Sequence, residues 1–254
     1  MIDAMRTVLR GFNRHRWARG SVVLHGNRLF GFTADRLLYL WLHKIGLMGA
    51  NNLREIAGLI RPGMTVVDVG ANVGVWTAAF SRWAGPRGRV IALEPAPANL
   101  LALQQAKQRN AWANVEIHGV AAADSEGTMF LECSSFNSGN NSLSLGGGTN
   151  KAVQVQTVRL DSLLAGTRVD VLKIDVQGWE ASVLRGAKET LRRNRPIMAR
   201  LEVWPAGLRR VGSNLDEILE ILASCGLEVV APRGEELQAA WRDEWYFDLS
   251  ARAE

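Results

Sequence analysis

Cysteine is scarce: Cys133 and Cys225 are the only two, too few for a disulfide framework or a cysteine-built zinc site. The 254-residue chain nowhere approaches about 18 consecutive uncharged apolar residues, which excludes a membrane-spanning helix. Its first residues lack the charged-then-apolar pattern of a secretory signal, so the cytosol is the expected compartment. Neither internal repeats nor a cluster of metal-ligating residues is evident, and no metal is expected. What is present is ordinary for a globular chain, with 47% hydrophobic and 22% charged residues.

Charge is unevenly placed. Residues 1–44 carry eight cations (Arg6, Arg10, Arg14, Arg16, Arg19, Arg28, Arg36, Lys44) against Asp3 and Asp35, whereas the net charge of the whole chain is +5. Ile2, Met5, Leu9 and Phe12 recur at helical spacing, predicting a basic amphipathic helix over 2–17. Such a leader is either a solvated helix face or a contact for an anionic partner, including a membrane surface reached through residues 1–20. Residues 1–50 thus read as a basic, mostly helical extension, and 51–254 as the main domain.

The extension continues with a hairpin over Ser21–Phe32 and helices over Asp35–Ile45 and Asn52–Ile60. Beyond residue 64 the rhythm changes to short apolar strands alternating with helices. Strands are expected over residues 65–70, Arg89–Glu94, Val115–Val120, Asp170–Asp175, Ile197–Val203, Leu227–Ala231 and Trp245–Leu249. The helices between them fall at Val73–Trp83, Ala98–Asn110, Trp179–Arg193 and Asn214–Cys225. This pattern predicts an α/β fold: a doubly wound, Rossmann-like sheet of seven strands, the last antiparallel. An inserted strand pair, Thr128–Glu132 with Ala152–Leu160, is joined by a Ser/Asn/Gly-rich loop over 134–150, read as either a lid or disorder.

The strongest chemical signal is Asp68-Val69-Gly70-Ala71-Asn72-Val73-Gly74, between a strand and a helix. Gly70 permits a tight turn, and Gly74 is expected to let the helix pack on the strand. The helix start offers free N–H groups to a polar ligand. Glu94, ending the second strand twenty residues after Gly74, suits the two hydroxyls of a ribose. A dinucleotide turn reads G-x-G-x-x-G; the G-x-x-x-G here does not line up three close approaches to a pyrophosphate. An acid at position 68 serves a ligand bearing an amino group, and S-adenosylmethionine carries one with no phosphate at all. S-adenosylmethionine is therefore the expected cofactor.

The same stretches, with Glu94-Pro95, Ala122-Ala-Asp124-x-x-Gly127, Leu160-Asp161-x-Leu163 and Val171-Leu-Lys-Ile-Asp175-Val-Gln-Gly178, stand in the order seen in FkbM-type methyltransferases. The chain resembles that family over about residues 46–250. The resemblance implies a class I methyltransferase fold and O-methylation of a sugar, glycolipid or polyketide-type hydroxyl, the acceptor being a small molecule or lipid-linked glycan. Two departures stand beside the expected reaction centre. The family commonly has Glu where Gln177 stands and often a small residue where Trp179 stands, which bears on the acceptor more than on the chemistry.

Individual roles follow. Asp68, Gly70, Ala71, Asn72, Gly74, Glu94, Pro95, Ala122, Asp124 and Asp175 are the expected cofactor contacts. Asp68 is assigned to the methionine end. Asn72 is either a turn residue or a donor to the cofactor carboxylate; Asp124 either reads the adenine edge or shapes its turn. Lys173, inside an apolar strand, needs a carboxylate partner among Asp175, Asp68 and Glu202. Asp175 and Glu202 end adjacent strands and are the candidate bases, with Lys173 tuning either. His118 is read as a packed strand residue, and Trp179 and Trp204 as packing or as pocket wall. The rival readings are an RNA methyltransferase, disfavoured because no base-flipping motif is present, and a cofactor-binding protein without activity.

Overall fold

The computed structural model describes residues 20–24, 26–32, 56–132, 142–144, 152–242 and 247–253. The expected helices over 2–17 and 35–45, the basic leader over 1–20 apart from Gly20, Cys133 and most of the 134–150 loop lie outside the described residues. Helical residues 56–59 carry the end of the helix expected over 52–60.

Strands β1 (Gly20–Leu24) and β2 (Asn27–Phe32) form the expected hairpin. The main sheet begins with β3 (Thr65–Val69), followed by helix α1 (Val75–Ala84), β4 (Arg89–Leu93), α2 (Pro97–Asn110) and β5 (Val115–His118). The chain then builds a second sheet from β6 (Ala121–Ala122), β7 (Gly127–Glu132), β8 (Ser142–Ser144) and β9 (Ala152–Val158), in the order β6-β9-β7-β8. It returns through α3 (Leu160–Leu163) to β10 (Val171–Ile174), then α4 (Glu180–Arg185), α5 (Lys188–Arg193) and β11 (Ile197–Val203). Last come α6 (Pro205–Arg210), α7 (Leu215–Ser224), β12 (Glu228–Ala231), α8 (Gly234–Arg242) and β13 (Phe247–Ala253).

The seven main strands lie in the order β12-β13-β11-β10-β3-β4-β5, and β13 runs against its neighbours. The expected Rossmann-like sheet with an antiparallel last strand is therefore present. Its strand order reverses between β3 and β10, which pair in parallel. At such a switch point the connections leave toward opposite sides, opening a crevice at the carboxyl ends of the strands. Strand alternation sorts the core into two faces. Val67, Val69, Leu172, Ile174, Leu201 and Val203 join Leu184, Leu191 and Leu222 in one cluster. Val66, Val90, Ala92 and Val171 join Phe80, Leu103 and Ala106 in the other.

Several boundaries differ from expectation for local reasons. β5 stops at His118, because Ala121 and Ala122 pair with Thr157 and Val158 in the second sheet. The helix expected over 179–193 is two helices broken at Gly186-Ala187. A Cβ on Gly186 would lie 2.0 Å from the Ala123 carbonyl oxygen, so this junction is pressed against the loop after β6. α6 and α8 escape the periodicity reading, and β13 runs to Ala253 rather than Leu249. Among the described residues, no helix is long and apolar enough to cross a membrane.

Candidate active site

The crevice is built first by backbone. Gly70 has φ +80°, and a Cβ there would lie 1.9 Å from the Asp175 carbonyl oxygen, so the tips of β3 and β10 touch only because position 70 lacks a side chain. Gly70 and Ala71 both donate their N–H to the Leu93 carbonyl, which fastens the loop to β4. Asn72 (φ 54°) donates its N–H to Glu94 Oε2 at 2.7 Å, and its Oδ1 accepts from Val73 N at 2.8 Å. The turn role read for Asn72 is thus present. Glu94 Oε1 also accepts from Ala96 N, past the half-buried Pro95, and from Asn99. Gly74 serves differently from expectation. A Cβ there would lie 2.6 Å from Leu103 Cδ1, so it lets the loop pack on α2 rather than α1 on β3. α1 begins behind Gly74 without a side-chain cap, its first amides available at the crevice.

Beside this loop, one face of the sheet turns polar. Asp68, Lys173, Arg200 and Ser250 are neighbours in register across β3, β10, β11 and β13. Two residues nearer the strand tips stand Asp175, Glu202 and Asp248, with Glu202 and Asp248 directly paired. Lys173 is buried, its Nζ 3.5 Å from Asp68 Oδ1 and 3.2 Å from Asp175 Oδ2. Burial works against its charge, but Asp175, Asp68 and Glu202 together hold its pKa above the usual lysine value. Asp68 is fully buried; Oδ2 accepts from Thr77 Oγ1 at 2.6 Å, and burial raises its pKa against Lys173. It ties β3 to α1 and to Lys173.

Asp175 Oδ1 accepts from Gln177 Nε2 at 2.9 Å. Gln177 reaches back because its own φ is 57°, and Gly178 beneath it leaves no room for a Cβ against the Gly207 backbone. The residue that departs from the family pattern is therefore a donor to the central carboxylate. The pKa of Glu202 is raised well above the ordinary value, by the charge of Asp175 first and by burial second. Asp248, paired with Arg200 at 3.1 Å, is raised chiefly by burial.

Sequence reasoning missed three members of this group: Glu180, Arg200 and Asp248. Glu180 is completely buried, with Oε1 accepting from Gly178 N at 2.9 Å and Oε2 lacking a hydrogen-bond partner. Burial pushes it up to about 7, with Asp175 adding to the rise against the backbone N–H of Gly178. Its signal was a carboxylate two residues after the Gln177-Gly178 turn. Arg200 and Asp248 lie in expected strands, but their place in this group follows only from the registers of β11 against β10 and β13.

The remaining candidates have partners of their own. The Asp124 carboxylate is held by Arg185 at 2.8 Å, and Arg185 also bonds Glu217, so Asp124 ties its turn to α4. Ala122 is buried in β6. His118 pairs with Glu116 at 2.8 Å on the edge strand. Trp204 packs on Gly207 with the Arg210 guanidinium 5.2 Å from its ring centre. Trp179 is buried and donates its indole N–H to the Leu143 carbonyl at 2.9 Å, joining β8 to the turn after β10.

Replacing Lys173 by Met removes the cation between two carboxylates while keeping the volume. The expected loss of stability is about 3–5 kcal/mol, the usual cost of an uncompensated buried charge. Chemical denaturation near neutral pH measures it; a loss under about 1 kcal/mol would show that the carboxylates simply take up protons.

Residues 68–229 match the sequence profile of the methyltransferase FkbM domain. The chain is 29% identical over 143 residues to Methyltransferase 1 of Beauveria bassiana, covering 48% of this chain and 57% of that protein. It is 27% identical over 267 residues to Methyltransferase sdnD of Sordaria araneosa, covering 86% of this chain and 95% of that protein. In structure it is similar to Methyltransferase FkbM from Methylobacillus flagellatus KT, with TM-score 0.51 and 18% identity, over 77% of this chain and 45% of that one. The chain thus spans about half the length of that structure and a little over half of the Beauveria protein.

Proposed function

This chain belongs to the FkbM methyltransferase family, and from that premise we propose that it moves a methyl group from S-adenosylmethionine to a hydroxyl of a sugar, glycolipid or polyketide-type product. The residues present fit that cofactor. Gly70 lets the tips of β3 and β10 close on each other, and acids outnumber cations around them, which suits a ligand with a positively charged sulfur. Glu94, at the tip of β4, is assigned to the ribose hydroxyls, and the uncapped start of α1 to the carboxylate of the methionine portion. When bound, the cofactor supplies an electrophilic methyl on that sulfur.

One observation supports the hydroxyl acceptor above the rest. The Asp175 carboxylate is pinned by Lys173 and Gln177 at the switch point, with the proton-retaining Glu202 on the neighbouring strand. An aliphatic hydroxyl attacks poorly unless its proton has somewhere to go, and a fixed carboxylate supplies about 10²–10⁴-fold. Asp175 takes that proton as the oxygen attacks in line, and Lys173 and Gln177 hold the carboxylate still. Holding both reactants in that line contributes about 7–11 kcal/mol.

The test is transfer of labelled methyl from S-adenosylmethionine into fractionated glycans, lipids and secondary metabolites of the source cell. An O-methylated glycan or polyketide product is expected. Label recovered in RNA would replace this reading with nucleic-acid methylation, and binding without transfer to any fraction would replace it with a cofactor-binding protein.

A further inference from the structure

Around the tip of β10, charge is out of balance. Among the described residues, the carboxylates of Asp68, Asp175, Glu180, Glu202 and Asp248 act on one another there, against the ammonium of Lys173 and the guanidinium of Arg200. Both cations are already engaged, Lys173 with Asp68 and Asp175, and Arg200 with Asp248 and Ser250. The acids come from five elements: Asp68 from β3, Asp175 after β10, Glu180 from α4, Glu202 from β11 and Asp248 from β13. Asp68, Glu180, Glu202 and Asp248 hold their protons more tightly than usual, because burial and mutual repulsion oppose full ionisation. The fully buried Glu180 carries an Oε2 with no hydrogen-bond partner.

A site so built is completed electrically by a cation. S-adenosylmethionine and its product S-adenosylhomocysteine share adenosine, ammonium and carboxylate, so those groups cancel in any comparison. They differ by one methyl and one positive charge on sulfur. We propose that this acidic face reads that charge: it holds the sulfonium more tightly than the neutral thioether, and binding the sulfonium releases protons that binding the thioether does not. The inference rests on the cofactor reading above. Its consequence is that methyl transfer itself loosens the product, since the charge that held the ligand disappears in the reaction.

The sign follows from linkage. A cation within about 4–6 Å of a carboxylate lowers its pKa by roughly 1–3 units. Cation binding is therefore strongest above the free-site value and weakens as pH falls through the free-site value toward the bound one. Each unit of change corresponds to about tenfold in affinity.

Calorimetry on the full chain tests this, titrating S-adenosylmethionine and S-adenosylhomocysteine separately in phosphate and in Tris between about pH 6 and pH 8. Binding enthalpies for the sulfonium are expected to differ between buffers, as proton release requires, and those for the thioether to agree. The affinity ratio should rise about tenfold toward the alkaline end. Glu202→Gln and Glu180→Gln should each flatten that rise. Buffer-independent enthalpies for both ligands, or a ratio indifferent to pH, would overturn the proposal and leave the cofactor assignment standing. No heat from either ligand would overturn both.

Discussion

Asp175→Asn lowers turnover by about two to four orders of magnitude and costs S-adenosylmethionine affinity no more than about tenfold, the cost of one nearby charge. The substitution keeps the shape of the side chain but leaves a single oxygen where Lys173 Nζ and Gln177 Nε2 now each have one, at 3.2 and 2.9 Å. Its amide nitrogen cannot take a proton from an attacking hydroxyl. Asp68 still neutralises Lys173, so β10 keeps its place and the variant folds. Single-turnover rates with calorimetry separate the two effects, since a residue that only positions the cofactor would move affinity and rate together. Unchanged turnover would remove Asp175 as the base and pass that role to Glu202, whose own replacement by Gln should then carry the large loss.

The sheet was legible because its evidence is local. Thr65–Val69, Ile197–Val203 and the G-x-x-x-G turn each declare themselves within a few residues, and parallel strands buried on both faces leave short apolar runs. The identity of Glu94 and Asp175 as strand-tip acids was equally local. What stayed hidden was pairing between distant strands. That Asp248 stands opposite Glu202 depends on the register of β13 against β11, and that Arg200 stands beside Lys173 on the register of β11 against β10, both fixed only in three dimensions. Two acids have partners that only the folded chain brings to them. Asp68 looked like a ligand contact from its place before the glycine, yet Thr77 and Lys173 enclose it completely. Asp124 looked available until Arg185, sixty-one residues away, was found holding it.

Gly70→Ala should abolish measurable cofactor binding, an expected loss of about a hundredfold or more. Two costs are combined and can be separated. The left-handed φ of +80° penalises any Cβ by about 1–2 kcal/mol. The second cost is steric, since the new carbon would lie 1.9 Å from the backbone oxygen of Asp175, which cannot swing aside as a flexible side-chain end does. The tips of β3 and β10 must then part, although Asp175 N is bonded to the Val69 carbonyl at 3.0 Å and resists it. A displacement near 1 Å moves Asp175 away from the loop that carries the ligand, and catalytic geometry tolerates little of that. Gly166→Ala supplies the control: φ there is +74°, with no atom within 4 Å of the added carbon. It should lose about 1–2 kcal/mol of stability and keep its affinity for S-adenosylmethionine. If both variants bind alike, contact between the two strand tips is not what shapes the crevice, and its geometry must be set by Glu94 and its bonds to Asn72 and Ala96.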